Sequence, residues 1–436
     1  MKKLLGIVIL SLLLSNNLIA GNYSKQTLKY FNKWLLKNGH NQYLEKDSDG
    51  RLQTNLNIKL YGGRWSIPYK KSPNRDTLIY YNYKNLFSHL TGDPNTHQFQ
   101  KYEISPSKNP YEFKSDLIED EFVKKQMQKK ALLSYLYFQD DHIIVDEITP
   151  KNRFGEFVNN ETKLRSNSVG KSMVSYVLGH AICEGYIEGV DSRMNDWDLV
   201  ENTLYENQKL IDLINMRAGD HKYIDEYSAT NFKGGYETDI HSISETMNYF
   251  FKNTKKSKPK YNYNDLLPNI VLNYVLFKSG NNFQKILDKA FKEKAKIKNS
   301  VYFYKLYKYP THGNVNNTFF ATRYDYLRIA KAMLDDWQND TCVGKYLKNI
   351  FERRRPKNVG VEPAYGSTST YGGYFHLEYP GLKNREVLGM TGYGGQAILI
   401  DMENSRIVVI HSIHFNNTRY KYNVGKLLID PIKNGK

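Results

Sequence analysis

Cysteine is scarce in this sequence: Cys183 and Cys342 are the only two in 436 residues. That number excludes a disulfide-stapled scaffold and a cysteine-rich zinc site, and no His-Glu-x-x-His stretch is present to hold a metal on a helix. Cys183 falls in an apolar helical stretch and reads as a buried thiol; pairing with Cys342 is the alternative in an oxidising compartment. Long apolar runs are equally few, and beyond the N-terminus none could span a bilayer as a helix. Acidic residues are in deficit, with 45 Asp and Glu against 62 Lys and Arg and a net charge of +17. Such a charge is compatible with peripheral contact with an anionic envelope. The basic residues are dispersed, apart from Lys255-Lys256-Ser257-Lys258 and Arg353-Arg354-Arg355. They make no basic stripe, so no nucleic-acid partner is expected. Internal repeats and low-complexity tracts are also lacking.

What is present begins with an address. Lys2 and Lys3 precede an apolar run from Leu4 to Leu14, followed by Ser15-Asn16-Asn17 and Leu18-Ile19-Ala20 before Gly21. This is the order of a secretory signal peptide, so residues 1–20 are set aside and a periplasmic or secreted location is expected. Residues 21–120 form a weakly patterned lead-in of unknown role, with one candidate amphipathic helix over Leu28–Leu36. From residue 121 to the C-terminus the pattern sharpens into a second region. Glu121–Lys130 reads as a charged helix. Ser134–Phe138 and His142–Ile148 read as a hairpin around Gln139-Asp140-Asp141. Met173, Val177, Leu178 and Ala181 carry helical spacing, and further helices are expected near 206–216, 241–252, 267–277, 282–295 and 323–337. Ala397–Asp401 and Arg406–His411 form a last strand pair. Strands at both ends with helices between predict an α+β domain whose terminal strands share one antiparallel sheet, flanked by helices and a helical subdomain.

Ser-x-x-Lys occurs three times, at Ser105/Lys108, Ser168/Lys171 and Ser257/Lys260. Proline interrupts the first and third. The second opens an apolar-periodic helix, where residues three apart share a face and a serine hydroxyl can meet a lysine amine. A helix N-terminus also lends positive potential to a developing anion, which a weakly nucleophilic serine needs. Gly170-Lys171-Ser172 imitates the end of a phosphate loop, but Arg165 stands where that loop requires glycine.

Further segments give Ser168 company. The run Thr162-Lys163-Leu164-Arg165-Ser166-Asn167-Ser168-Val169-Gly170-Lys171-Ser172 is followed by Leu213-Ile214-Asn215-Met216-Arg217-Ala218-Gly219, then Tyr263-Asn264-Asp265, Thr322–Ala330 and Met390-Thr391-Gly392-Tyr393-Gly394-Gly395-Gln396. In this order they resemble the serine β-lactamase and penicillin-binding superfamily, in particular its class C-like branch of esterases, D-aminopeptidases and 6-aminohexanoate-oligomer hydrolases. The resemblance spans about residues 130–430.

The resemblance implies a serine hydrolase that forms an acyl-enzyme on Ser168, with Lys171 and Tyr263 as its proton-transfer partners. The backbone N–H groups of Ser168 and Tyr393 would form the oxyanion hole. No metal or cofactor is needed. Asp265, Met390, Thr391 and Gly392 are the substrate-binding candidates. Two of these depart from the family pattern: Asp265 replaces an asparagine, and Met390 replaces a cation that pairs with substrate carboxylates. Methionine cannot do so, which points to a small-molecule or short-peptide substrate with a neutral amide or ester. Two other readings remain open: a penicillin-recognising D-Ala peptidase or β-lactamase, and a non-catalytic envelope protein that keeps the fold for binding. His180, His411 and His414 read as structural.

Overall fold

The computed structural model describes residues 99–130, 132–151, 155, 158–224, 242–306, 315–357, 368–412 and 422–436, with a few short pieces before residue 99. The expected leader over residues 1–20 lies outside the described residues, as do His414 and all but two residues of the helix expected over Leu28–Leu36. The chain divides into two compact units. In the first, which runs to Gln98 apart from residues 68–72, Glu45–Lys46 pairs antiparallel with Leu52–Gln53. The second holds everything that follows.

In chain order the second unit contains β1 (Phe99–Ile104), β2 (Lys114–Ser115), α1 (Glu121–Lys129), β3 (Leu132–Gln139), β4 (His142–Ile148), β5 (Leu164–Arg165), α2 (Val169–Cys183) and α3 (Leu210–Ile214). Then come α4 (Ile243–Thr246), α5 (Leu266–Ser279), α6 (Phe283–Leu287), β6 (Val301–Leu306), β7 (Val315–Ala321), α7 (Arg323–Gln338) and α8 (Cys342–Glu352). The C-terminal part adds β8 (Arg355–Pro356), β9 (Thr370–Gly372), β10 (Phe375–Leu377), β11 (Val387–Gly392), β12 (Gln396–Asp401), β13 (Arg406–Ser412) and α9 (Asp430–Asn434). Residues 99–120, read from sequence as part of the lead-in, contribute β1 and β2 to this unit.

A nine-stranded sheet of order β8-β9-β10-β11-β12-β13-β3-β4-β2 forms the backbone of the fold. Its centre joins the two ends of the domain, since β13 pairs antiparallel with β3 from Arg406↔Gln139 to His411↔Ser134. The expected shared sheet is therefore present. The β3–β4 hairpin turns through Asp140 and Asp141, both at positive φ (46° and 64°), a conformation that aspartate tolerates better than most residues. Residues alternate between faces along a strand. Tyr135 and Tyr137, Val408 and Ile410, Ala397 and Leu399, and Val387 pack with Val123 and Met127 of α1 and with Leu427, Leu428 and Ile432 near the C-terminus. The intervening residues, among them Ile398, Val409 and Met390, are also buried, on the face where α2 and α7 lie. Both faces of the sheet are covered, so β3 reads as an almost unbroken apolar run.

A second, four-stranded sheet of order β1-β6-β7-β5 supports the start of α2. Two expectations need correction. The helix expected over 206–216 shrinks to α3, because Asn207 (φ 58°) and Met216 (φ 55°) adopt left-handed conformations on either side of it. Cys183 is no buried thiol: it is bonded to Cys342, with a Cα–Cα separation of 5.8 Å. Cys183 is the last residue of α2 and Cys342 the first of α8, and these helices pack together.

Candidate active site

The turn that carries Ser168 is clamped before α2 begins. β5 pairs with β7, and the ladder continues where Ser166 N–H donates to Phe319 O (2.8 Å) and Phe319 N–H donates to Ser166 Oγ (2.9 Å). Asn167 then reverses the chain with φ 47°. Ser168 occupies the N-cap position of α2 yet makes no side-chain cap bond. An ordinary capping serine would spend its hydroxyl on a backbone N–H; this one faces Lys171, whose Nζ donates to Ser168 Oγ at 3.1 Å. Lys171 is 1% exposed. Gly170 lets the first turn of α2 press against β7, since a Cβ there would lie 2.0 Å from Asn317 O.

Lys171 has a second partner, the carboxylate of Asp265, with which it forms an ion pair. Asp265 stands at the N-cap of α5 but does not cap it. Asn264 does so instead, its Oδ1 accepting from the N–H groups of Leu266 and Leu267 at 3.1 Å each. The Asp265 carboxylate is thereby left to Lys171. The Tyr263 ring lies 4.9 Å from Lys171 Nζ, within range of a cation–π interaction. Three of the residues expected from sequence, Ser168, Lys171 and Tyr263, are thus brought together, with Asp265 as a fourth.

The end of β11 reaches the same turn. A Cβ on Gly392 would sit 2.6 Å from Ser166 O, so only glycine permits this approach. Asn167 Nδ2 donates to Tyr393 O at 2.7 Å, tying the Tyr393 segment to the residue before Ser168. Tyr393 is 54% exposed. Met390 is wholly buried on the α2 face of β11, and Thr391 is 5% exposed. Met390 packs in the interior and offers no surface to a ligand, which corrects the expectation that it binds substrate; Thr391 is nearly as enclosed. Gly392 serves close approach.

Several neighbours were not anticipated. His376 on β10 is buried, with its ring 6.1 Å from that of Tyr263 and its Nδ1 2.8 Å from Lys357 Nζ. Burial, then the charges of Lys357 and Lys171, push His376 well below the usual histidine range, so it is neutral. The lysine donates to Nδ1, which leaves the ring proton on Nε2. Tyr371 completes an aromatic group, 6.0 Å from Tyr263 and 5.0 Å from His376. These residues come from strands far from Ser168 in sequence, and no local signal marks them. By contrast, His180 packs edge-on against Tyr176 and His411 beside Tyr326. Among the described residues no group of three or more His, Cys, Asp or Glu is placed to hold a metal.

No family model matches the chain, and no curated protein matches it. Solved structures do. A Bacillus anthracis protein assigned as a 6-aminohexanoate-dimer hydrolase aligns over 83% of this chain and 98% of its own, with a TM-score of 0.58 and 12% identity. A Bacteroides dorei protein assigned as a β-lactamase aligns over 72% and 97%, with a TM-score of 0.55 and 14% identity. The β-lactamase/D-alanine carboxypeptidase of Yersinia pestis, complexed with citrate, aligns over 72% and 95%, with a TM-score of 0.53 and 10% identity. At such identities the likeness is one of architecture, and the chain has the β-lactamase/transpeptidase-like α+β fold.

Proposed function

We propose that the protein is a serine hydrolase that cleaves an amide or ester bond through a Ser168 acyl-enzyme. The observation that carries this reading is the uncapped Ser168 hydroxyl, 3.1 Å from the buried Lys171 amine at a helix N-terminus. Ser168 Oγ attacks the carbonyl carbon as its proton leaves. A carboxylate beside an ammonium favours the charged lysine, which works against Lys171 as a simple base. The Lys171–Asp265 pair therefore acts as a unit: Lys171 passes one proton to Asp265 while taking the one from Ser168. The oxyanion is held by the N–H groups of Ser168 and Tyr393. Tyr263 protonates the departing amine or alcohol, and water then releases the acid.

Because Met390 packs in the interior, its lack of charge does not bear on a substrate carboxylate, which corrects the expectation of a neutral substrate drawn from it. The charged, apolar and small-residue order of residues 1–20 supports export, with the mature chain starting near Gly21; sequencing of the mature N-terminus tests that. For the activity, a fluorophosphonate probe and a panel of p-nitrophenyl esters and anilides are applied to wild type and Ser168→Ala. Labelling and turnover are expected in the first and not in the second. Full activity in Ser168→Ala overturns the mechanism, and a wild type inert to every probe favours a binding protein.

A further inference from the structure

A buried carboxylate lies behind the site. Asp220 is fully buried and accepts three hydrogen bonds, from Asn262 Nδ2 (3.0 Å), Asn264 Nδ2 (3.1 Å) and Tyr205 OH (3.2 Å). Two of these donors flank Tyr263 in the chain. Both asparagines are 1% exposed, and each makes a further bond that fixes the loop. Asn262 N–H donates to Met216 O at 2.8 Å, and Asn264 Nδ2 also donates to Asn262 O at 3.0 Å. Asn264 Oδ1 in turn opens α5. One network thus sets the backbone before Tyr263, after it, and at Asp265.

We infer that Asp220 is a positioning residue for the reaction, its carboxylate anchoring the Tyr263–Asp265 loop through Asn262 and Asn264. This rests on the serine-hydrolase reading. The chemistry requires an acid at this position. All three groups that face it are donors, and a carboxylate offers acceptors to all of them, whereas an amide would turn its own N–H groups against at least one. Burial of the acid is costly, and it raises the Asp220 carboxyl above the usual range. A neutral, well-packed residue would avoid that cost. What the acid provides is a rigid hold on a loop whose tyrosine and aspartate both meet Lys171, where a displacement of an ångström is enough to slow a reaction.

The test compares three variants by the rate constant of Ser168 labelling with a fluorophosphonate and by kcat and KM on a p-nitrophenyl ester. Asp220→Asn is expected to lower the labelling rate and kcat by about 10- to 100-fold, with KM within about threefold of wild type. Asn262→Ala and Tyr205→Phe each remove one hydrogen bond to the same carboxylate, but only the first touches the loop. Asn262→Ala is expected to slow labelling about tenfold and Tyr205→Phe to leave it within about twofold. This pair decides the matter even if Asp220→Asn does not fold. Wild-type rates in Asn262→Ala, or equal losses in Asn262→Ala and Tyr205→Phe, overturn the inference and leave the serine-hydrolase reading standing. A wild type that is never labelled overturns both.

Discussion

Asp265 is the residue at which this site departs most from a simple serine–lysine pair. A buried lysine without a counter-charge would shed its proton and become a base. Here the carboxylate removes that tendency and supplies a place for the proton to go. Asp265→Asn leaves Lys171 without a counter-charge, so the lysine itself becomes the base: kcat is expected to stay within about tenfold of wild type while its dependence on pH shifts. A loss of about 100-fold or more with an unchanged pH profile would mean that the proton must reach a carboxylate. The pair also bears on stability: removing one partner of a buried ion pair typically costs about 3–5 kcal/mol, toward the lower end here because Asp265 is partly exposed. A denaturation curve of Asp265→Asn checks this separately from activity. Asn167 belongs to the same scale. Its amide holds Tyr393 O, so Asn167→Ala is expected to slow ester turnover about tenfold, while Asn167→Gly, which also keeps the positive φ, separates the lost hydrogen bond from backbone strain.

Among the elements, those with a strong local pattern were legible. The β3–β4 hairpin announced itself through its turn, and α7 through regular apolar spacing behind Thr322, whose hydroxyl caps it. Helix α8 carried a comparable signal, apolar at Val343, Tyr346, Leu347 and Ile350, yet it was not anticipated. The strand β6 escaped for a physical reason: it is apolar and aromatic on both faces, so the two-residue alternation that reveals a half-buried strand is missing. Of the site, Ser168, Lys171 and Tyr263 could be found because they sit in contiguous motifs. Asp220, Lys357 and His376 could not, because each meets its partners only after distant segments pair. The α2–α8 disulfide makes a prediction at this scale. It closes a loop with a sequence separation of 159, and the double variant Cys183→Ser/Cys342→Ser is expected to lose about 2–4 kcal/mol of unfolding free energy. Equal stability of oxidised and reduced wild type in denaturant would falsify this.

The whole molecule should respond to acid through its buried histidines. Burial pushes His180 down to about 4 and His411 down to about 3, and His376 is also held well below its ordinary value. All three are neutral in the folded chain. In the unfolded chain each takes up a proton near pH 6.5. As pH falls from about 6.5 toward 4, the unfolded state binds protons that the folded state refuses, and stability drops by up to about 1.4 kcal/mol per pH unit for each histidine. Asp220 acts in the opposite sense, because its carboxyl is raised in the folded state and so gains a proton there first. Urea midpoints are expected to fall between pH 7 and pH 5; a flat profile over that interval would show that these histidines are not buried as neutral groups.

The central pairing of β13 with β3 also sets the order of events during synthesis. Tyr135 donates to the carbonyl of Leu427, 292 residues further on, and α2 packs on β11 as well as on β7. The platform beneath Ser168 therefore cannot close until the segment around Leu427 has left the ribosome. Contacts this distant in sequence make folding slow. The site can therefore form only after β3 has met β13 and the segment around Leu427.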